Sequence, residues 1–169
     1  NIKNIILKSV SKNLIDILWT KKPKDLTKPF FLLSKKDVGE NSKQKILKIK
    51  KVLLKNKTDY LLVTAPENVA WILNIRGHDS SFSPIPNARL LINNKGNIDL
   101  YSQHKKVEKI KKILSKKVKF YNEDMLEKKL KVIEKKNIWL DTLSCSIHYK
   151  NLFRKKNKII EKIDPIYFF

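Results

Sequence analysis

The feature that most constrains the fold is an alternation of helical and strand-like patterns after residue 104. Segments with apolar residues at helical spacing alternate with short runs of β-forming residues. In chain order these segments are 105–114, 118–121, 123–134, 138–140, 144–154 and 159–163. Strands that alternate with helices favour a sheet with parallel pairs and helices packed on its faces. The alternation therefore predicts strands covered by helices.

The first half of the chain predicts the remaining strands. Residues 60–63 form a short, almost wholly apolar run, as a strand buried on both faces requires. Residues 89–92 and 97–101 are joined by a turn in which Gly96 can adopt a positive φ, so they predict a β-hairpin. A hairpin is antiparallel, whereas strands joined by helices are parallel. We therefore expect one α/β domain with a mixed β-sheet flanked by helices.

Two helices are predicted beside the central strand. Ile46, Ile49, Leu53 and Leu54 are predicted to lie on one face of a helix that ends near residue 55, and Ser42 is a candidate cap for its beginning. After the strand, Pro66 suits the first turn of an amphipathic helix that ends near Asn74.

Length and composition are typical of a soluble single domain. The chain has 169 residues, of which 41% are hydrophobic, and lysines interrupt every apolar stretch before it reaches the roughly 18 residues that a membrane span needs. Cys145 is the only cysteine, so an intramolecular disulfide is excluded, and we interpret it as a packed apolar side chain. These features favour a reducing, cytoplasmic location without membrane contact.

The strong positive charge suggests nucleic acid, but its make-up favours another cause. Lys and Arg number 38 against 16 Asp and Glu, a formal net charge of +22. The arginines, whose bidentate side chain suits base and phosphate recognition, are only Arg76, Arg89 and Arg154. The lysines are spread along the chain, which is typical of an A+T-rich genome. We expect weak, salt-sensitive adsorption to polyanions and no specific nucleic acid partner.

The segment 64–92, read T-A-P-E-N-V-A-W-I-L-N-I-R-G-H-D-S-S-F-S-P-I-P-N-A-R-L-L-I, carries the most information. It resembles the second domain of three-domain Xaa-Pro aminopeptidases (aminopeptidase P). There a short helix ends W-L-x-N-x-R-G, and a loop of pattern S-D-x-x-x-x-P-x-P leads to a hairpin. The matching residues are Trp71, Leu73, Asn74, Arg76, Gly77, Asp79, Pro84 and Pro86. His78 stands where the family usually has Ser.

The resemblance covers nearly the whole chain and implies a domain organisation. Residues 1–22 would be a segment that joins from a preceding domain, 23–41 an extended linker packed on the domain, and 42–169 a creatinase amino-terminal-like α/β domain. The chain begins without methionine and ends on apolar residues, so both ends are interpreted as cuts in a longer protein.

The resemblance also implies a function for the parent protein. Family members remove the first residue from peptides with proline second, using two metal ions, usually manganese, in a C-terminal domain. The middle domain serves as scaffold, helps to wall the substrate cleft and takes part in dimer contacts. This fragment would have no catalytic residue, metal site or cofactor of its own, and its partners would be the adjoining domains, the peptide and a second subunit.

The candidate site is the substrate-cleft loop, with Arg76, Gly77, His78, Asp79, Pro84 and Pro86 as its residues. Arg76 would present its guanidinium to a substrate carboxylate or a partner domain, or would pin its own loop through carbonyls or Asp79. Gly77 is expected to supply a backbone angle that other residues resist. The prolines prevent pairing as a central strand, so we expect an exposed loop outside the core.

Two alternative functions stay open. A basic nucleic-acid-binding module would need lysines gathered on one face with aromatic residues between them. A creatinase-like amino-terminal domain from a relative with another substrate, or a free-standing interaction module, would share the motif without the peptidase activity.

Overall fold

The computed structural model describes residues 6, 8, 10–23, 28–34, 36–114 and 116–169. The strands are β1 (Phe31–Leu32), β2 (Tyr60–Val63), β3 (Ile75–Arg76), β4 (Arg89–Asn93), β5 (Ile98–Tyr101), β6 (Val118–Tyr121), β7 (Asn137–Leu140) and β8 (Lys158–Glu161). The helices are α1 (Leu14–Leu18), α2 (Ser42–Lys55), α3 (Pro66–Leu73), α4 (His104–Lys111), α5 (Met125–Val132), α6 (Ile147–Arg154) and a 3₁₀-helix (Pro165–Phe168).

Six of the strands form one mixed sheet in the order β6-β5-β4-β2-β7-β8. The pairs β2–β4 and β4–β5 are antiparallel, while β2–β7, β5–β6 and β7–β8 are parallel. The parallel pairs β5–β6 and β7–β8 are joined through α4 and α6, and the β4–β5 pair through a tight turn, where Gly96 has φ 81°. The predicted mixed sheet and hairpin are confirmed.

The core lies on both faces of this sheet. Leu61 and Val63 of β2 belong to a cluster that α2, α3 and α4 cover, while Leu62 belongs to a second cluster covered by α5 and α6. All three side chains are at most 1% exposed, which is why the sequence of β2 is apolar at successive positions. Each buried leucine or valine contributes about 1.5 to 3 kcal/mol relative to an exposed one.

Helix α2 begins differently from the prediction. Its N-cap is Asn41, whose side chain accepts from the Gln44 backbone N–H at 3.0 Å, while the Gln44 side chain accepts from the Asn41 N–H at 3.1 Å. This reciprocal capping box satisfies two donors that the first helical turn leaves open. Ser42 is therefore the first residue of the helix, and its assignment as cap was wrong.

The segment before α2 contributes to the core through one residue. Phe30 is fully buried, and its backbone N–H donates to the Lys106 carbonyl at 2.7 Å. The next two residues form β1, which pairs antiparallel with β3. Sequence patterns did not predict this pairing. The proposed limits 1–22, 23–41 and 42–169 stay a prediction, and residues 1–5, 7, 9, 24–27, 35 and 115 lie outside the described part.

None of the residues of helix α1 is buried. Throughout the described ranges, no helix combines the length and the apolar character that crossing a bilayer requires.

The chain leaves the sheet at a buried carboxyl group. Asp164 is 1% exposed. Its Oδ1 accepts from the Ile166 N–H at 2.9 Å, and its own backbone N–H donates to Asp141 Oδ2 at 3.0 Å. Burial, reinforced by the negative charges of Asp141 and Glu67, raises the pKa of Asp164 to about 6, although the hydrogen bond from the Ile166 N–H opposes the shift.

This raised pKa predicts a loss of stability as pH rises. The unfolded chain releases the proton near pH 4 and the folded chain near 6, so the folded state binds more protons between these values and the free energy of unfolding falls there. About two pKa units correspond to about 3 kcal/mol. Chemical denaturation from pH 4 to 7 should show this fall in the unsubstituted chain. The fall should be much smaller in Asp164→Asn, because the asparagine side chain stays neutral. Asp124→Asn, at an exposed residue, is the control. The prediction would be contradicted if the free energy of unfolding fell as steeply with pH in Asp164→Asn as in the unsubstituted chain.

Candidate functional site

The candidate loop begins where α3 ends in a left-handed residue. Asn74 has φ 55° and ψ 34°, a conformation that asparagine tolerates better than most residues. Its side chain accepts from Lys45 Nζ at 2.6 Å and donates to the Glu40 carbonyl at 2.9 Å. The motif asparagine thus fixes the end of α3 against the beginning of α2.

A buried lysine completes this junction. Lys45 is 6% exposed, its Nζ donates to the Trp71 carbonyl at 2.9 Å and lies 4.2 Å from the centre of the Trp71 ring. Desolvation lowers its pKa. The indole also stacks on Phe169 with the ring centres 6.3 Å apart. Trp71 is therefore a half-buried bridge between α2 and the end of the chain, packed against the core and not enclosed by it.

Arg76 makes hydrogen bonds to carbonyl groups of its own neighbourhood. Its Nη1 donates to the carbonyls of Ala70 at 3.2 Å and Ile75 at 2.9 Å. The Ala70 carbonyl belongs to the last turn of α3 and also accepts from the backbone N–H of Asn74 at the C-cap. These contacts agree with the interpretation in which Arg76 pins its own loop through backbone carbonyls. A contact with substrate stays a prediction.

Gly77 is required for space and not for its backbone angle. Among the described glycines only Gly96 has a positive φ, so the expected reason for Gly77 was wrong. A Cβ on Gly77 would lie 2.8 Å from Pro86 Cα and 3.0 Å from the Ile85 carbonyl oxygen. The two ends of the loop pack backbone against backbone at this point, and the Gly77 N–H donates to the Pro84 carbonyl at 3.0 Å.

An ion pair holds the middle of the loop. Asp79 Oδ1 accepts from Lys106 Nζ of α4 at 2.6 Å, with side-chain exposures of 11% and 4%, and Asp79 Oδ2 accepts from the Asn87 N–H at 2.6 Å. Both carboxylate oxygens are thus used by groups other than Arg76. Because this pair is largely desolvated, removing one partner leaves a charge that water reaches poorly.

The tip of the loop is exposed, while its two ends are buried. Gly77 and Pro86 are buried, His78 and Pro84 are exposed, and the Phe82 side chain is as exposed as in an open chain, at 101%. The expectation of a loop wholly outside the core was therefore wrong at the two ends and correct at the tip. The ring centres of His78 and Phe31 lie 5.3 Å apart. A serine at position 78, as is usual in the family, could not make this ring contact.

A small cavity of about 220 Å³ opens beside the loop. It is lined by Pro66, Asp79, Ser80, Ile85 and Asn87. Because the Asp79 charge is already paired with Lys106, the cavity offers apolar surface and uncharged polar groups. Within the described ranges, no group of three or more His, Cys, Asp or Glu residues is arranged to hold a metal ion.

Three residues that hold this loop were missed in the sequence: Lys45, Lys106 and Phe30. Lys45 lies four residues before Ile49 and eight before Leu53, on the apolar face of α2, and that position was a usable signal. Lys106 is next to Val107 in a lysine-rich stretch, where no local signal distinguishes it from its exposed neighbours.

Comparison with known proteins decides the family. A family model described as the creatinase/prolidase N-terminal domain matches residues 21–169. The chain belongs to this family. The resemblance seen in segment 64–92 is thereby confirmed at the level of the domain, and the creatinase-like α/β fold with it.

Curated relatives carry the name Xaa-Pro aminopeptidase. "Probable Xaa-Pro aminopeptidase P" of Sordaria macrospora is 34% identical over 80 residues, which cover 47% of this chain and 13% of that protein. "Xaa-Pro aminopeptidase 1" of Dictyostelium discoideum is 29% identical over 138 residues, which cover 80% of this chain and 22% of that protein. The chain therefore matches a small part of these relatives' length.

Solved structures share the fold. An X-prolyl aminopeptidase from Caenorhabditis elegans, described as a cytosolic enzyme with a di-nuclear active site, superposes with a TM-score of 0.75 at 18% identity, over 90% of this chain and 26% of that chain. The N-terminal domain of a metallopeptidase from Corynebacterium diphtheriae superposes with a TM-score of 0.53 at 16% identity, over 72% of this chain and 95% of that chain.

The close approach at Gly77 predicts a large difference between two glycine substitutions. In Gly77→Ala the new methyl group meets backbone atoms that cannot rotate away, so we expect a loss of about 1 to 3 kcal/mol in the free energy of unfolding. Gly39→Ala is the control, because a Cβ there meets no atom within 4 Å. Urea denaturation compares the two variants, and equal stabilities would show that the backbone contact relaxes freely.

Proposed function

We propose that this chain is the non-catalytic middle domain of a metal-dependent Xaa-Pro aminopeptidase, an enzyme that removes the first residue from peptides with proline second. The observation that carries the proposal is the family match over residues 21–169, taken with relatives named Xaa-Pro aminopeptidase that continue well beyond the matched region. Under this proposal the chain supplies structure and contacts, and the hydrolytic chemistry belongs to another part of the parent protein.

The described residues of this chain offer no ligand set for the metal ions of the proposed enzyme. The Caenorhabditis elegans protein is described as having a di-nuclear active site, whereas the described residues contain no cluster of His, Cys, Asp or Glu that would hold even one ion. We propose that two divalent ions, manganese by resemblance to the family, bind outside these 169 residues.

The proposed contribution of this domain to the cleft is a braced loop with an aromatic tip. Its ends are locked by the Gly77 contact with Pro86, and its middle by the Asp79–Lys106 pair. Two prolines further restrict its backbone and lower the entropy lost when a partner binds. The backbone of the loop can therefore present the exposed Phe82 side chain to a peptide without having to be ordered by it.

The proposal extends to the location, oligomeric state and domain order of the parent protein. We place it in the cytoplasm, as the Caenorhabditis elegans protein is described as cytosolic, and we expect a homodimer by resemblance to the family. Residues 1–22 would then connect to a preceding domain, and the segment after Phe169 to the metal-binding one.

The first test concerns the isolated chain. The described residues contain no group of three or more His, Cys, Asp or Glu that could hold a metal ion and so activate a water molecule. The purified 169-residue chain should therefore release no N-terminal residue from an Xaa-Pro peptide, with or without added manganese. The full-length parent should do so in the same assay. Chelator-sensitive turnover that coelutes with the 169-residue chain on size exclusion would contradict the proposal that this domain is non-catalytic. Absence of Xaa-Pro turnover in the full-length parent would contradict the proposed function.

The second test concerns the tip of the loop. Phe82→Ala removes a fully exposed ring, so the free energy of unfolding should change by less than about 0.5 kcal/mol. In the full-length parent, kcat/KM for an Xaa-Pro peptide should fall about tenfold, because an aromatic contact of this kind is worth more than about 1 kcal/mol. Ile147→Ala, at an exposed residue on α6 of the opposite sheet face, should leave kcat/KM unchanged. Equal kinetics of the two variants would place Phe82 outside the cleft.

A further inference from the structure

The sheet face that α5 and α6 cover carries polar side chains that the proposed peptidase function does not use. Leu91 of β4 and Tyr101 of β5 are buried on this face in the second core cluster. Side chains two residues apart on a strand point to the same face of a sheet, so Asn93 and Asp99 share the face with them. A hydrophobic core requires neither of these two polar residues.

The polar side chains line a cavity of about 160 Å³. Asp99 pairs with Leu91 of β4 on one side and with Lys119 of β6 on the other, so its carboxylate lies on an inner strand beside a lysine. Within its described lining the cavity holds one carboxylate and two amino groups. The other polar residues of the lining are Tyr60, Asn93, Asn97, Tyr121 and Lys129.

The Asp99 carboxylate is largely shielded from water, yet its distance to Lys129 is too long for a hydrogen bond. The Asp99 side chain is 19% exposed, and its Oδ2 lies 4.0 Å from Lys129 Nζ, beyond hydrogen-bond distance. Asp79 and Lys106, by contrast, are 2.6 Å apart. Burial raises the pKa of Asp99, although the charges of Lys129 and Lys119 oppose the shift. A cationic group of a ligand would therefore stabilise this carboxylate.

A mainly apolar cavity adjoins the polar one on the same side of the sheet. It has a volume of about 240 Å³, shares Tyr121 and Lys129 with the polar cavity, and is also lined by Met125 and Val132. Met125 is 39% and Val132 71% exposed, so both can contact a ligand. The Tyr121 ring stacks on the buried Tyr101 with ring centres 5.4 Å apart. We call the two cavities together the sheet-face pocket.

The charges in the sheet-face pocket are complementary to a zwitterion. Asp99 and Lys119 occupy paired positions on neighbouring strands, and such strands lie about 4.8 Å apart. An α-amino acid carries its ammonium and carboxylate groups on one carbon atom, so a single molecule can reach both residues. A simple anion would be repelled by Asp99, and a simple amine by Lys119 and Lys129.

We propose that the sheet-face pocket binds a free α-amino acid with an apolar side chain. The ammonium group donates to Asp99, the carboxylate accepts from Lys119 and Lys129, and the side chain lies in the apolar cavity. These contacts are charge-assisted hydrogen bonds, which are stronger than neutral ones. The inference does not rest on the proposed peptidase function, since none of the pocket residues belongs to the loop from Arg76 to Pro86.

Titration of the ¹⁵N-labelled 169-residue chain with L-leucine tests the proposal. Amide chemical shifts in β5, β6 and α5 should change and saturate with a Kd on the order of 1 mM, within what a ligand of this size can supply. Three analogues remove one feature each: 4-methylpentanoate lacks the ammonium group, 3-methylbutylamine the carboxylate, and glycine the side chain. Each should bind at least about fivefold more weakly, because it loses a charged hydrogen bond or the apolar contact.

Two variants with matched controls identify the residues that bind leucine. Asp99→Asn should weaken leucine binding at least about tenfold, as the loss of a hydrogen bond to a charged group predicts, and should not weaken the binding of 4-methylpentanoate. Lys119→Gln, at an exposed residue, should weaken leucine binding about fivefold. Asp37→Asn and Lys43→Gln make the same charge changes at exposed residues outside the pocket and should bind as the unsubstituted chain does. Thermal denaturation checks that each variant is folded.

Three results would overturn the proposal. One is that leucine shifts amides only outside β5, β6 and α5, or does not saturate. The second is that any of the three analogues binds as tightly as leucine. The third is that folded Asp99→Asn or Lys119→Gln binds leucine as tightly as its matched control.

Discussion

Strand β2 pairs antiparallel with β4 on one side and parallel with β7 on the other, and it is buried on both faces. It thereby joins the hairpin half of the sheet to the half built from parallel strands. Helix α3 follows β2 after two residues, so the position of α3 is set by this strand. The loop from Arg76 to Pro86 begins where α3 ends, and its placement depends in turn on the same buried strand.

Most of the sheet could be predicted because its strands are short apolar runs between recognisable turns and helices. The predicted strand at 118–121 coincides with β6, and the predicted hairpin with β4 and β5. Strands β1 and β3 could not be found in this way, since two residues are too few to show a period. The error at the start of α2 has a similar origin: Asn41 and Ser42 are both good caps, and only the side-chain geometry distinguishes them.

The candidate site was predicted less well than the fold, because the sequence shows which residues occur but not what they touch. The motif identified Asp79, yet its partner Lys106 lies 27 residues further on among lysines of the same local pattern. Gly77 was identified for its backbone angle, whereas glycine is needed there because of a close tertiary contact with Pro86, which the sequence does not show.

The order of strands also bears on how the chain folds. β4 and β5 are neighbours in sequence and close through a four-residue turn, whereas Tyr60 of β2 pairs with Ile138 of β7, far along the chain. Closing a long segment costs entropy before its contacts form. The hairpin is therefore suited to form early and to serve as the template on which β2 docks, while the parallel strands β7 and β8 join late. During synthesis, β2 leaves the ribosome well before β7, and the apolar edge that awaits β7 is exposed in that interval.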